Sequence, residues 1–213
     1  MSSTLTVQEA RAQLDSHTRE LINWHFSPET GCPYWLDWAK NAGWDPREKV
    51  QCFDDIMHFD NFDDEVLRKE DPAKFIPKAY EGKPYNVFET GGTTGMPKQR
   101  IGWEDYKTDY TEFSNHYGPD FFPQGGNWLM VGPTGPRRLR LAIEHLANIR
   151  GGAAYFIDLD PRWVKRLIGM GEMQMAKAYQ AHVIDQAATI IRHRDIQCIF
   201  TTPKLLESLA ERM

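Results

Sequence analysis

The segment of this sequence best suited to chemistry is the loop TGGTTGMPK at residues 90–98. Its glycines, Gly91, Gly92 and Gly95, allow positive backbone φ and a close approach of the backbone to a ligand. Successive backbone N–H groups in such a turn form a concave nest that binds anions. Three threonine hydroxyls can donate to the same anion, and one lysine supplies a positive charge. These residues are Thr90, Thr93, Thr94 and Lys98. The loop therefore predicts a site that holds a polyphosphate while another part of the site reacts.

Two better-known phosphate-binding loops do not fit this segment. The Walker pattern G-x-x-x-x-G-K-S/T requires a lysine directly after the second glycine, but Met96 follows Gly95 here. The dinucleotide pattern G-x-G-x-x-G opens a helix, whereas this loop leads into QRIGW at 99–103, which is β-prone. The competing interpretation is an ordinary Gly/Thr hairpin turn that binds nothing.

The nine residues of the loop resemble the signature of the adenylate-forming superfamily, Ser/Thr–Ser/Gly–Gly–Ser/Thr–Ser/Thr–Gly–x–Pro–Lys, at every position. This superfamily includes acyl-CoA synthetases, luciferases and nonribosomal-peptide adenylation domains. The segments GPTGP at 132–136 and IFTTPKLL at 199–206 are similar to strand-to-helix steps of the same family. The phenylacetate-CoA ligase branch is the nearest, and the resemblance covers residues 85–213 well but residues 1–83 only loosely.

The resemblance implies an acid–AMP ligase. A carboxylate would attack the α-phosphorus of Mg-ATP and release pyrophosphate, and the acyl-AMP would pass its acyl group to coenzyme A or a carrier pantetheine. The loop would hold the β- and γ-phosphates so that the leaving group is neutralised and in line. Thr93, Thr94 and the glycine amides would carry that contact, with Lys98 as a weaker electrostatic contributor. None of these groups is a nucleophile or a general base, so we expect no catalytic residue in this chain.

The later motifs of the family do not occur in the 213 residues. The missing motifs include the ribose-binding aspartate and the C-terminal catalytic lysine. We therefore expect an incomplete, N-terminal part of a larger adenylating fold, inactive alone and dependent on a C-terminal portion in cis or in trans. Exposed apolar surface would then favour homo-oligomers. Two alternatives stay open: a non-catalytic nucleotide-binding or scaffolding relative, and an acyl-protein synthetase that transfers the acyl group to a cysteine.

A second glycine-rich turn comprises Gly132, Pro133, Thr134 and Gly135. It follows a predicted strand at the carboxyl end, where ligands of α/β proteins collect, so it either lines the acyl pocket or is a plain tight turn.

Three other groups of residues have structural interpretations. The set Asp158, Asp160, Arg162 and Trp163 is typical of a helix cap with flanking surface charge. His17 shares a helical stripe with Leu14 and Leu21, which predicts core packing. The arginines at 137, 138 and 140 indicate a solvated helix start.

The elements that must position these residues alternate between strand and helix after residue 84. Strands are predicted at 85–89, 99–103, 127–132, 153–157 and 196–201, with helices at 103–117, 137–150, 161–168 and 203–212 and a longer one that ends near His193. This order predicts an α/β domain at 84–213, with a mixed or parallel sheet flanked by helices. Residues 1–83 are predicted to form a helical preface.

Composition excludes several classes of function. The net charge of −5 and the lack of a dense Lys/Arg face argue against nucleic-acid binding. No apolar run is long enough for a membrane span, and the first residues do not form a secretory signal. Three scattered cysteines show no metal-ligand spacing, so no metal site is expected, and they suit the reducing cytoplasm. The expected partner is a small carboxylic acid.

Overall fold

The chain divides into two compact units, Met1–Tyr85 and Asn86–Met213. The structure, a computed structural model, describes residues 5–92 and 95–213. The division falls two residues beyond the expected boundary between residues 83 and 84.

The regular elements in the described part of the first unit are all helices or 3-10 turns. Its α-helices are α1 (Val7–Phe26), α2 (Pro33–Ala42), α3 (Pro46–Lys49) and α4 (Val66–Lys69), and 3-10 turns lie at Phe53–His58, Pro72–Phe75 and Lys78–Tyr80. Aromatic rings fill the space between them: Phe26 stacks on Phe59, with ring centroids 5.8 Å apart, and Trp38 lies 5.3 Å from Phe59. The Trp- and Phe-rich composition of this segment is thereby explained as core packing.

The inward face of α1 differs from the prediction. His17 lies on an exposed face, with 61% of its side chain accessible, and Leu14 and Leu21 beside it are exposed as well. The buried residues are Thr18 and Phe26. The packed face is therefore offset by one residue from the apolar stripe, a rotation of about 100°. Asp15 fixes this orientation, because its carboxylate accepts a hydrogen bond of 2.9 Å from the backbone N–H of Phe53.

The second unit combines helices with parallel strands, which is compatible with the predicted α/β class, but its described strands form two small sheets and not one. Its strands are β1 (Asn86–Glu89), β2 (Gln99–Gly102), β3 (Trp128–Val131), β4 (Ala154–Phe156) and β5 (Cys198–Thr201). Its helices are α5 (Asp105–Asn115), α6 (Arg137–Ile149), α7 (Pro161–Gly169), α8 (Met173–His193) and α9 (Pro203–Arg212). Strands β1 and β2 form an antiparallel hairpin, and β3 is the central strand of a parallel three-stranded sheet in the order β4-β3-β5.

Strand β3 is buried on both faces. Leu129 and Val131 pack against a cluster from α8 and α9, whereas Trp128 and Met130 pack against α6. Side chains alternate between the faces of a strand, so two helical layers require a continuous apolar run. The apolar segment at 127–132 was recognisable for this reason. Its carboxyl end leads directly into the second glycine-rich turn.

The start of α6 anchors the hairpin and α5. Arg137 donates a 2.9 Å hydrogen bond to the side-chain oxygen of Asn86, the first residue of β1. Arg138 forms ion pairs with Asp105 (2.8 Å) and Asp109 (2.6 Å) on α5. These two arginines lie at an accessible helix start, as expected, but they also have partners on other elements.

Two further observations concern the described part of the chain. None of its helices combines the length and the apolar character needed to cross a lipid bilayer. Cys32, Cys52 and Cys198 are free thiols.

Candidate anion-binding site at the 90–98 loop

The 90–98 loop connects β1 to β2, as predicted for a hairpin that leads into a strand. Glu89 and Gln99 are the last register pair before the loop. The backbone N–H of Thr90 donates to the carbonyl of Lys98 over 3.0 Å, and the N–H of Lys98 donates to Thr90 Oγ1 over 3.1 Å. Thr90 therefore closes the base of the loop, and its O–H can still donate to a ligand.

Two of the loop glycines adopt backbone conformations that other residues rarely tolerate. Gly92 has φ +61° and Gly95 has φ +139°, whereas Gly91 is not among the glycines with positive φ. A Cβ added at Gly92 would lie 2.9 Å from Cγ of Pro97 and 3.3 Å from the carbonyl oxygen of Gly95. Conformation and space thus both require glycine at position 92. Thr93 and Thr94, which the sequence also assigns to this site, lie outside the described residues.

A second segment reaches the loop from the start of α7. Asp160 is the N-cap of this helix, since its carboxylate accepts hydrogen bonds from the backbone N–H groups of Arg162 (2.8 Å) and Trp163 (3.4 Å). The capping interpretation is confirmed for Asp160. Arg162 is exposed, as expected for a flanking surface charge, and its Nη2 also donates to Glu89 Oε2 at 2.9 Å. Arg162 Nε lies 3.4 Å from the position of a Cβ at Gly92.

Glu89 carries the negative charge that holds this arginine. Its Oε1 accepts a 3.1 Å hydrogen bond from Gln99 Nε2, and its Oε2 faces Arg162. The hydrogen bond from Gln99, followed by that from Arg162, holds the pKa of the Glu89 carboxyl below its ordinary value of 4.5. The carboxylate is therefore ionised near neutral pH, which suits a positioning role and not that of a general acid.

The second glycine-rich turn is fixed by one residue. The backbone N–H and the hydroxyl of Thr134 both donate to the carbonyl of Leu159, over 3.0 and 2.9 Å. Gly132 is buried and Pro133 half-buried, while Gly135 is exposed. A Cβ at Gly135 would lie 4.0 Å from Arg162 Nη2. The guanidinium of Arg162 thus lies beside both glycine-rich segments.

The position of Arg162 beside the loop was not predicted from the sequence, although a signal for it existed. The residue follows the carboxyl end of β4, and Gly135 follows the carboxyl end of β3, the neighbouring parallel strand. Carboxyl ends of parallel strands meet at one edge of a sheet, so the rule that drew attention to Gly135 applies equally to Arg162. The backbone N–H of Asp158 donates to the side-chain oxygen of Gln186 on α8.

Comparison with known proteins adds no family. The sequence matches no protein-family model, and a search of curated proteins found no match. Across residues 5–92 and 95–213, no group of three or more His, Cys, Asp or Glu side chains is placed to hold a metal ion.

Proposed function

We propose that this chain binds ATP through the 90–98 loop, as the N-terminal part of an enzyme that activates a carboxylic acid as acyl-AMP. One observation carries the proposal. A nine-residue segment that fits the adenylate-forming pattern at every position lies at the tip of a hairpin, with Gly92 in a left-handed conformation and an arginine beside it. An ordinary hairpin turn does not require the full pattern, a left-handed glycine and a neighbouring arginine together.

The loop acts by holding a leaving group. Its backbone N–H groups bind the β- and γ-phosphates of ATP, which arrives with its Mg²⁺ ion. The carboxylate of the acid then attacks the α-phosphorus, the bond from that phosphorus to the bridging oxygen breaks, and pyrophosphate leaves. Donors that are already in place stabilise the charge that develops on pyrophosphate without reorganising. A thiol of coenzyme A or of a carrier pantetheine subsequently attacks the acyl carbonyl and displaces AMP.

The proposal also covers the acid site, a C-terminal portion and the location of the protein. The turn at Gly132, Pro133, Thr134 and Gly135 borders Arg162, which supports a place for it near the acid. The family's later motifs are missing from the sequence, which supports a separate C-terminal portion in cis or in trans. Three free thiols support a reducing cytoplasm as the location.

Two assays test this function. Calorimetric titration of the chain with Mg-ATP measures binding, and exchange of labelled pyrophosphate into ATP, over a panel of carboxylic acids, measures adenylation in the longest natural protein that contains this sequence. The proposal predicts ATP binding and acid-dependent exchange. Binding without exchange would favour a non-catalytic relative. Exchange followed by acyl transfer to a protein cysteine, without coenzyme A, would favour an acyl-protein synthetase. Absence of ATP binding would refute the proposal.

A further inference from the structure

The side chain of Arg162 lies where three separate segments of the second unit meet. Its Nη2 is 2.9 Å from Oε2 of Glu89, which lies 73 positions earlier at the base of the 90–98 loop. Its Nε is 3.4 Å from a Cβ position at Gly92, and its Nη2 is 4.0 Å from one at Gly135. A guanidinium thus occupies the space between the loop and the second glycine-rich turn.

We propose that Arg162 is the principal cation of this site. Its guanidinium binds the phosphate oxygens of the ligand, and Glu89 holds that guanidinium in position. The inference rests on the proposed function, since it takes the 90–98 loop as the polyphosphate site. It goes beyond that function because nothing in the loop's pattern assigns a role to α7.

Donor geometry favours Arg162 as a phosphate ligand. A guanidinium has five N–H donors in a planar fork that matches two oxygens of one phosphate. Among the described residues, the side chain of Arg162 donates one hydrogen bond, from Nη2 to Glu89. The other N–H groups are therefore available to an anion. The Arg162 side chain is 42% accessible, so a ligand in solvent can reach it.

The contacts of Glu89 hold the guanidinium of Arg162 in position and occupy both oxygens of the carboxylate. One carboxylate oxygen accepts from Gln99 on β2 and the other from Arg162. This arrangement restricts the rotamers of a long side chain before any ligand arrives, and such preorganisation lowers the entropic cost of binding. The α7 backbone contributes nothing comparable, because the N–H groups of Arg162 and Trp163 already donate to Asp160.

The test compares three variants with the wild type. Arg162→Gln removes the cation, and Arg162→Lys keeps the charge but loses the fork. Arg166→Gln is the matched control, because Arg166 is an exposed arginine one turn further along α7. Each protein is titrated with Mg-ATP and with pyrophosphate under one salt condition, and with adenosine as a probe that lacks phosphate. Thermal unfolding establishes that each variant is folded.

We expect Arg162→Gln to weaken pyrophosphate and ATP binding by about tenfold to a hundredfold, the cost of a charge-assisted contact. Arg162→Lys should fall between Arg162→Gln and the wild type, which also provides the test if Arg162→Gln does not fold. Adenosine binding should be the same in all four proteins, and Arg166→Gln should bind phosphate ligands like the wild type.

Two failures are distinguishable. A wild-type chain that binds neither ATP nor pyrophosphate would overturn the proposed function and this inference with it. A wild-type chain that binds both, with equal affinity in Arg162→Gln and Arg162→Lys, would overturn this inference alone and leave the 90–98 loop as the site. An equal loss in Arg166→Gln would also overturn it, because the effect would then be one of general charge.

Discussion

The two glycine-rich segments of the second unit look alike as sequence but differ in what their glycines do. In the 90–98 loop, Gly92 and Gly95 have positive φ, and Thr90 and Lys98 close the loop at its base. In the second turn, neither Gly132 nor Gly135 has positive φ, and Thr134 anchors the backbone to the Leu159 carbonyl. Glycine is thus required by conformation in the loop, whereas the turn is defined by a threonine. Of the two segments, the loop is the one with positive-φ glycines, which an anion nest can use.

The largest effect that follows from this comparison is on ligand affinity. Gly92→Val would place a branched side chain at φ +61°, with its Cβ 2.9 Å from Cγ of Pro97. Such strain costs about 1–3 kcal/mol, so we expect ATP binding to weaken by roughly tenfold to a hundredfold or more. The matched control is Gly132→Ala, because a Cβ there meets only the flexible end of Met130 at 3.1 Å. Calorimetric titration measures both, and equal losses would show that the two segments do not differ.

The second prediction concerns stability and the turn. Thr134→Val removes the 2.9 Å hydroxyl bond to Leu159 but keeps the backbone bond to the same carbonyl. We expect the free energy of unfolding to fall by about 1 kcal/mol, with ATP affinity unchanged. Urea denaturation gives the first quantity and the same titration gives the second. A large loss of affinity without a loss of stability would instead make Thr134 a ligand-binding residue.

The smallest effect is the pH dependence from Glu89. Its pKa is lowered in the folded state, so the stabilisation by this carboxylate is fully present above the unfolded pKa. It disappears as pH falls through the folded pKa. We expect the difference in unfolding free energy between wild type and Glu89→Gln to be small at about pH 7, because the pair is partly exposed, and to vanish in acid. Denaturation at several pH values checks this, and a pH-independent difference would remove the electrostatic role of Glu89.

Local signals explain why much of the fold was predictable. Asp45, Asp71 and Asp160 each precede a proline, and a helix begins at each proline with the aspartate as side-chain cap. These motifs depend on residues within one helical turn, so they are visible in sequence. The buried strand β3 was recognisable from its apolar run. The hairpin that carries the 90–98 loop was predicted from β-prone residues on both sides of the glycines.

Features that depend on distant partners were not predictable in the same way. The helical period of α1 was correct, but the face that packs is set by contacts with residues 51–53, which the period does not encode. Arg162 was interpreted as surface charge because its partner Glu89 lies 73 residues away. A single sequence gives no direct information about contacts between residues far apart along the chain. The indication here is that the carboxyl ends of neighbouring parallel strands meet at one edge of the sheet.

The central claim is that the 90–98 loop binds phosphate, and the most direct measurement is a pyrophosphate titration followed through the backbone amide NMR signals. We predict that the largest shifts fall on Gly91, Gly92 and Gly95 and on the side-chain Nε–H of Arg162. The amides of Gly132 and Thr134 should shift less, because the Thr134 N–H already donates to the Leu159 carbonyl and the turn is proposed to border the acid, not the phosphates. Shifts centred on any other segment, or none at saturating pyrophosphate, would contradict the account.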